Sequence, residues 1–419
     1  MKKTKMLLSA VSLMLLCAII VGLAGCSTRI EAEDLMKDVN AQTVQNKVPL
    51  SDKSIHVTDF AIRLFRAANA DGENTLISPL SVLCALAISA NGAKGETLEQ
   101  IENTLGLEKD ELNLYLYSYI TSLPQGEKYK LYLANSIWLT EDERFTVNGD
   151  FLQANADYYG ADIYKAPFDD KQTLKDINNW VKNETDGMIP SIVDQIPPEA
   201  VAYLVNALAF EAEWKNIYEK GQVKDGYFTN VDGEKQSIEM MYSSEGRYIE
   251  DDNATGFIKY YSGEKYAFVA LLPKEGISVT EYIATLDGES VNNMLNSAQY
   301  TTVDAAIPKF ESEYEAEMSS TLKSMGVTLA FAPDNADFTG LGTSTDGNIF
   351  INRVIHKAKI QVGEKGTKAG AATVIEMVDK MSMPAISKQV FLDRPFVYML
   401  VDSESNLPFF IGTMTDINA

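Results

Sequence analysis

Helical spacing of apolar residues characterises the part of the chain that directly follows residue 50. Between Ser51 and Asp71 the apolar side chains recur at helical intervals, which predicts an amphipathic helix. Ser78-Pro79 then has the form of a helix start, a capping residue followed by proline at the first helical position. The segment from Leu80 to Ser89 is apolar on nearly every side and therefore predicts a buried central helix. Thr97-Leu-Glu-Gln100 fits a capping box and predicts a third helix.

Strand patterns dominate the later part of the chain. Ala202 to Phe210 is apolar on both faces, as expected of a central strand that is covered on both sides. Leu131 to Leu139 predicts an earlier strand, and an amphipathic helix between the two is marked by Leu174, Ile177 and Val181. Further strands are predicted near residues 256–273, 301–310, 349–362, 390–402 and 407–414. Because there is no internal repeat and no linker after residue 50, the pattern predicts one α+β domain over residues 51–419.

The first 50 residues form a different kind of segment. Three lysines among the first five residues precede an apolar run from Met6 to Ala24, a pattern typical of an export signal. Leu23-Ala-Gly-Cys26 resembles the bacterial lipobox, which implies that residues 1–25 are removed and that Cys26 carries a lipid. The alternative is a signal anchor, in which the apolar run stays as a transmembrane helix. We expect an exported protein, anchored by its lipid to the bacterial cell membrane or cell surface, with residues 26–50 as a polar tether.

Composition narrows the possible classes of function. The 419-residue chain is 46% hydrophobic and has a formal charge of −23, from 36 basic and 59 acidic side chains. Nucleic-acid binding requires a basic surface, so this class is nearly excluded. Two histidines and three cysteines leave little with which to build a zinc site, an iron–sulfur cluster or a histidine-based triad. We therefore expect no metal and no cofactor.

Two polar residues fall where apolar ones are expected. His356 shares a strand face with Ala358, Ile360 and Val362, and Asn206 lies in the strand that is apolar on both faces. Buried polar groups need hydrogen-bond partners, so we expect a polar network that joins two strands. No serine or cysteine has a plausible histidine partner, which argues against a hydrolase and favours a protein that is not an enzyme.

The segment from Gly363 to Met377 differs from its neighbours. It would be a loop of about twenty residues, and loops of this length in a compact domain are usually functional. If the segment is read as a strand, the charges Lys368 and Glu376 fall on one face, and Gly366 provides a hinge. The other face is uncharged and consists of Thr367, Ala369, Ala371, Thr373, Ile375 and Met377. The segment can therefore be a loop in one state and a strand in another.

A series of motifs, in order along the chain, resembles the serpin family. The resemblance covers about residues 52–416 and implies the serpin fold, with three β-sheets, eight or nine helices and an exposed reactive-centre loop at about residues 363–387. The motifs are Asn74-Thr-Leu-Ile-Ser-Pro-Leu-Ser81, Asn178-Asn-Trp-Val-Lys-Asn-Glu-Thr-Asp-Gly187, Leu204-Val-Asn-Ala207, Pro308-Lys-Phe310, Val354-Ile-His-Lys-Ala358, Glu364-Lys-Gly-Thr-Lys-Ala369, Asp393-Arg-Pro-Phe-Val-Tyr398 and Leu407-Pro-Phe-Phe-Ile-Gly-Thr-Met414.

The resemblance implies roles for particular residues. The breach, at the top of the main sheet, would contain an ion pair between Lys309 and Glu364 near Trp214. The shutter, within the sheet, would consist of Ser78, Ser81, Asn206 and His356. The loop hinge would consist of Glu364, Gly366, Thr367, Ala369, Ala371 and Thr373.

By the same resemblance, the protein inhibits extracellular serine proteases as a suicide substrate. The protease forms an acyl-enzyme with the reactive loop and is trapped when the cleaved loop enters the main sheet as a new strand. The family's spacing from Glu364 places the reactive bond at Lys380–Met381, and a lysine there fits a trypsin-like pocket. Met377 and Met381 leave open an elastase-like or chymotrypsin-like target. The rival interpretation is a non-inhibitory serpin that acts as a surface binding protein.

The sequence departs from the family pattern at a few positions. Ala212-Glu213 precede Trp214 where a Gly-Thr-like pair is usual, and the hinge carries Lys365 and Lys368 where glutamates are commoner. Residues 111–123 contain no lysine or arginine, so we expect no heparin-like cofactor site. We expect a monomer whose partners are serine proteases and, through its lipid, a membrane.

Overall fold

Nine α-helices form within the part of the chain that the structure describes. This computed structural model describes residues 29–123, 128–142, 145–196, 201–345, 347–367 and 387–418. The helices are α1 (Ser54–Ala68), α2 (Pro79–Ala90), α3 (Gly95–Leu105), α4 (Lys109–Ile120), α5 (Gly149–Tyr159), α6 (Lys171–Glu184), α7 (Val279–Thr285), α8 (Gly288–Asn296) and α9 (Ser319–Ser324).

The same residues contribute eighteen strands. They are β1 (Glu33–Asp34), β2 (Leu76–Ile77), β3 (Tyr129–Thr140), β4 (Phe145–Val147), β5 (Asp162–Ala166), β6 (Ala202–Glu213), β7 (Val223–Thr229), β8 (Lys235–Glu250), β9 (Ala254–Tyr260), β10 (Tyr266–Pro273), β11 (Gln299–Pro308), β12 (Phe310–Glu317), β13 (Gly342–Ser344), β14 (Arg353–Gly363), β15 (Gly366–Thr367), β16 (Lys388–Phe391), β17 (Phe396–Asp402) and β18 (Leu407–Met414).

Three sheets organise these strands, as the resemblance implied. The main sheet has seven strands in the order β1-β5-β3-β6-β15-β14-β12. The second sheet has nine strands, eight of them in the order β16-β11-β8-β9-β10-β17-β18-β2, and the ninth, β7, pairs with β8. A small third sheet pairs β13 with β4. Strands early in the chain pair with later ones in both large sheets, so the chain folds as one α+β unit.

Helix α2 lies in the core between the two large sheets. All twelve of its residues are buried, and it contacts β3 and β6 of the main sheet as well as β18 of the second. The Ser78 hydroxyl caps its first turn by accepting a hydrogen bond from the backbone N–H of Ser81. Cys84 is buried in this helix, and burial raises the pKa of its thiol, so it serves packing.

Helix α6 covers the outer face of the main sheet. Ile177 and Trp180 of this helix pack with Tyr203 and Val205 of β6 and with Ile355 of β14. Helix α6 therefore covers the part of the main sheet where β6 and β14 are neighbours. None of the helices in the described residues combines the length and apolar character that a membrane crossing requires.

The predicted polar tether differs from the structure where its residues are described. Residues 29–50 follow the surface of the domain, and β1 adds an edge strand by pairing Glu33 with Lys165. The buried carboxylate of Asp176 on α6 accepts hydrogen bonds from the backbone N–H groups of Glu31 and Ala32, at 2.9 and 2.8 Å. Polar composition suggested a solvated segment, but these backbone donors find a distant acceptor that the local sequence does not reveal.

The third helix begins two residues before the predicted capping box. Lys94 precedes its first residue, Gly95, so Thr97 lies inside the first turn. The Thr97 hydroxyl accepts a hydrogen bond from the backbone N–H of Asp337 and so binds a distant loop to the helix. The local motif matched a cap, but the tertiary contact uses the same oxygen.

Candidate functional site

Strands β6 and β14 are paired at one end of the main sheet and separated at the other. They run parallel, and six residue pairs join them, from Tyr203–Arg353 to Leu208–Ala358. Beyond these pairs β15 lies between the two strands, where Thr367 is opposite Ala212 on one side and Val362 on the other. Among the described residues, 209–211 and 359–361 have no partner across this gap. The main sheet thus contains an open slot whose mouth is occupied by Gly366 and Thr367 of the predicted hinge.

Gly366 can enter this slot only because it has no side chain. Its φ is +153°, and a Cβ atom added there would lie 1.9 Å from the carbonyl oxygen of Ala212. The next residue, Thr367, is fully buried, and its hydroxyl lies 2.6 Å from the hydroxyl of Tyr261. The hinge therefore already makes its first contacts with the interior of the sheet.

Trp214 holds the backbone of the turn that precedes the hinge. Its indole N–H donates to the carbonyl oxygen of Gly363 at 2.8 Å, and its backbone N–H donates to that of Lys365 at 2.8 Å. Its ring stacks on Tyr261, with 4.4 Å between the centroids and 12° between the planes. The Ala212-Glu213 departure from the family pattern is compatible with this geometry, because both residues pair with β15.

Lys309 binds two carboxylates beside the hinge. Its ammonium group lies 2.7 Å from Glu239 and 2.9 Å from Glu364. The hydrogen bonds that Lys309 donates to Glu239 and Glu364 raise the pKa of Lys309, and the one donated to Glu364 lowers the pKa of Glu364. All three groups are partly exposed, so the pairs are weak individually and screened by salt. A cavity of about 1000 Å³ opens next to them and leaves room for the hinge to move.

The predicted shutter residues meet where β6 and β14 are still paired. Asn206 and His356 are opposite each other in the parallel ladder, and both are buried. The backbone N–H of Ser78 donates to Nε2 of His356 at 3.1 Å, and the amide of Asn206 donates to Asn135 of β3 at 2.8 Å. Burial lowers the pKa of His356 to about 4, so the ring is neutral at physiological pH.

Three buried polar atoms of the shutter have no hydrogen-bond partner among the described residues. They are the hydroxyl oxygen of Ser81, Oδ1 of Asn206 and Nδ1 of His356. Unpaired buried polar groups are costly and uncommon in native proteins. They lie together where α2 meets the main sheet, so this point has hydrogen-bonding capacity that the described residues do not use.

Several residues of this site were missed by sequence reasoning. Asn135, Tyr261 and Glu239 each contact a predicted site residue from a strand or segment far away in sequence. Behind Trp214, Lys259 and Glu245 form a buried ion pair at 2.8 Å, and desolvation lowers the pKa of Lys259. The polar residues in the otherwise apolar strands β3 and β9 were the available signals for Asn135 and Lys259.

Other predicted site residues lie outside the described residues. These are Ala369, Ala371 and Thr373 of the hinge, the reactive bond Lys380–Met381 and the lipidation residue Cys26.

Comparison with known proteins identifies the family. The model of the family described as "Serpin (serine protease inhibitor)" matches residues 55–417. The chain is a serpin. Membership of this family supports a protease-inhibitor function in general, since most serpins are inhibitors and not catalysts.

The solved structures relate this serpin to a defined conformational state. It is similar to the native state of tengpin, a thermophilic serpin, with a TM-score of 0.89 and 48% identity over 92% of this chain and all of that one. The latent state of the same protein matches with a TM-score of 0.79 over 89% of this chain and all of that one. The described conformation therefore resembles the native state more than the latent one.

A curated relative shows that the match extends over nearly the whole chain. An uncharacterised serpin-like protein of Methanosarcina mazei is 30% identical over 89% of this chain and 88% of its own.

Proposed function

We propose that this serpin inhibits trypsin-like extracellular serine proteases by inserting its cleaved reactive loop into the main sheet. The observation that carries the proposal is the position of Gly366 and Thr367 between β6 and β14. These two residues already occupy the mouth of the slot, and insertion of the remaining loop would extend the same strand. Cleavage of the loop would release its far end and allow this step.

The register of β15 supports the proposal. Thr367 pairs with Ala212 and Val362, so an uninterrupted antiparallel strand would bring Thr373 between Asn206 and His356. These two residues are already opposite each other across the parallel ladder, so the registers on the two sides agree. Because side chains alternate along a strand, Thr373 would face inward like Thr367.

The unpaired hydrogen-bonding groups of the shutter are complementary to the side chain of an inserted Thr373. The hydroxyl of Thr373 can both donate and accept, whereas Oδ1 of Asn206 and Nδ1 of His356 have no partner among the described residues. Insertion would separate the six residue pairs that join β6 and β14, and it would add new hydrogen bonds on both sides of the inserted strand. The native state would then be kinetically held, with a more stable inserted state available.

The reach of the loop is sufficient to carry a bound protease across the sheet. Fourteen residues from Thr367 to Lys380 would span about 45 Å at about 3.3 Å per residue. Lysine at position 380 suits a protease whose specificity pocket has an acidic base.

Denaturing gels of the serpin mixed with trypsin test the proposal. The protein from Ser27 onward should give a band near the summed masses that survives SDS and boiling, and the Lys380→Ala variant should not. Intact mass should show a released fragment that begins at Met381. If elastase or chymotrypsin gives the stable band and trypsin does not, the reactive bond lies at a neighbouring methionine. Clean cleavage by all three without a stable band would support the non-inhibitory alternative.

We also propose that the exported protein is anchored through a lipid on Cys26. Ile30 and Ala32 pack beside the cluster under α6, so at most three residues would separate the lipid from the body of the domain. Such a segment spans about 10 Å, which would hold the α6 side of the molecule close to the membrane. Labelling with a radioactive fatty acid should mark the wild type and not Cys26→Ala. An unlabelled wild type would end this proposal.

A further inference from the structure

Tyr300 is the most exposed large hydrophobic side chain in the described part of the chain. It lies on β11 and is 89% exposed. The guanidinium group of Arg247 stacks on its ring, 4.0 Å from the centroid, and the two residues are opposite each other in the β8–β11 pair. An arginine that packs flat on an aromatic ring restrains it by dispersion and cation–π attraction. Tyr300 is therefore an exposed aromatic side chain with a restrained orientation.

Arg247 has no carboxylate partner within salt-bridge distance among the described residues. Its Nε atom is buried without a hydrogen-bond partner in the same part of the molecule. The chain has 59 acidic side chains and 36 basic ones, so an unpaired, partly buried arginine is an unexpected feature. Its remaining donors are available to an external acceptor.

The pair lies at the end of the second sheet from which the reactive loop leaves. β16, the strand that follows the loop, runs parallel to β11, and its first residue, Lys388, is opposite Val303. Tyr300 is therefore about 10 Å further along in the direction of the loop, at about 3.3 Å per residue. A bulge between Tyr300 and Val303 turns this end of β11. Ser387, just before β16, donates to Asp304 at 2.7 Å and holds the end of the loop against the same strand.

A second cation–aromatic contact stabilises the same end of the sheet from its other face. The ammonium group of Lys388 is 4.5 Å from the ring centroid of Tyr248, the residue after Arg247 on β8. Tyr248 is buried, and because successive residues on a strand point to opposite faces, this contact lies on the other face of the sheet from Tyr300 and Arg247. Tyrosine and arginine are the residue types that most often dominate the energy of protein–protein contacts.

We propose that Tyr300 and Arg247 bind the body of the target protease outside its catalytic cleft, through an acidic surface loop of that protease. The proposal rests on the proposed inhibitory function. The reactive bond at Lys380 is eight residues before Lys388, or at most about 27 Å of chain, so a protease docked there passes over this end of the sheet. Arg247 would attract the acidic loop and Tyr300 would supply a rigid apolar contact. The Tyr300–Arg247 pair would raise the rate of association without taking part in loop insertion.

The test compares second-order inhibition rates of Tyr300→Ala and Arg247→Glu with those of the wild type. Trypsin, chymotrypsin and elastase are the probes, each measured at low and high ionic strength. Tyr227→Ala is the matched control, since Tyr227 is a 64% exposed tyrosine on β7, which pairs with the other end of β8. Thermal midpoints of all variants establish that they fold.

The proposal predicts a loss of at least fivefold in rate for both Tyr300→Ala and Arg247→Glu against one or more of the proteases. The number of inhibitor molecules consumed per protease should not change, and the salt dependence should be weaker in Arg247→Glu. Rates equal to those of Tyr227→Ala with all three proteases would overturn the accessory site and leave the inhibitory function intact. Failure of the wild type to form any SDS-stable complex would remove both proposals.

Discussion

The backbone N–H of Ser78 donates a hydrogen bond to Nε2 of His356, 3.1 Å away. This bond joins the start of the buried helix α2 to strand β14 of the main sheet. Because Nε2 accepts this bond, the neutral ring carries its proton on Nδ1, which has no partner among the described residues. A second proton would have to go to Nε2, where it would oppose the Ser78 donor.

The native state should therefore become less stable as the pH is lowered through a window set by the pKa of His356. Its pKa is lowered by burial from about 6.5 to about 4, so the unfolded chain binds more protons between these values. The stabilisation is complete above about pH 6.5 and is lost as the pH falls towards 4. In urea unfolding, the contribution of His356 to the free energy of unfolding should decrease by about 2 kcal/mol when the pH is lowered from 7.5 to 5.

His356→Gln provides the comparison, because its amide oxygen can still accept from Ser78 but does not titrate. The carboxylates titrate alike in both proteins, so the difference between the two pH dependences isolates His356. Identical pH dependences would contradict the assignment.

Replacement of Gly366 by alanine should expel the hinge from the main sheet. The added Cβ would lie 1.9 Å from the carbonyl oxygen of Ala212, and φ is +153°. We expect the free energy of unfolding to fall by at least about 2 kcal/mol. Gly363→Ala is the matched control, because a Cβ there would meet no atom within 4 Å. Equal stability of the two variants, measured by thermal unfolding, would show that the hinge does not occupy the slot.

A charge at position 367 should convert the inhibitor into a substrate. Thr367 is fully buried, so Thr367→Arg would place an unpaired cation inside the sheet and slow insertion. Thr367→Val keeps the shape and loses only the contact with Tyr261, a cost of about 1 kcal/mol. Trypsin titrations should show several times more cleaved inhibitor per complex for the arginine variant than for the valine one. An unchanged stoichiometry in Thr367→Arg would refute insertion.

Thr373→Val should affect the cleaved protein and spare the uncleaved one. If Thr373 reaches the shutter after cleavage, its loss leaves Asn206 and His356 without the new partner. We expect the cleaved form to lose about 1–3 kcal/mol in guanidinium unfolding. The intact variant is its own control and should match the wild type. A cleaved variant as stable as the cleaved wild type would place Thr373 elsewhere.

Much of the fold could be predicted from the sequence, because local patterns report burial directly. The two-sided apolar pattern of Ala202 to Phe210 lies within β6, and Ser78-Pro79 opens α2 as a capped helix. The predicted hinge includes Gly366, and the structure shows at this residue a close approach to Ala212 that requires a glycine. Periodicity and capping depend on neighbours within a few residues, and the sequence contains that information.

The sequence by itself determined the α+β class of the fold and the burial of the polar residues Asn206 and His356. Only the tertiary structure decided that Asn135 and Ser78 are their partners, that Tyr261 meets Thr367 and that Asp176 holds the segment before α1. It also decided how far the slot is open, which the pairings of β15 reveal. The physical reason is that hydrogen bonds and ion pairs join groups by distance in space, whereas apolar periodicity records only which side of an element is buried.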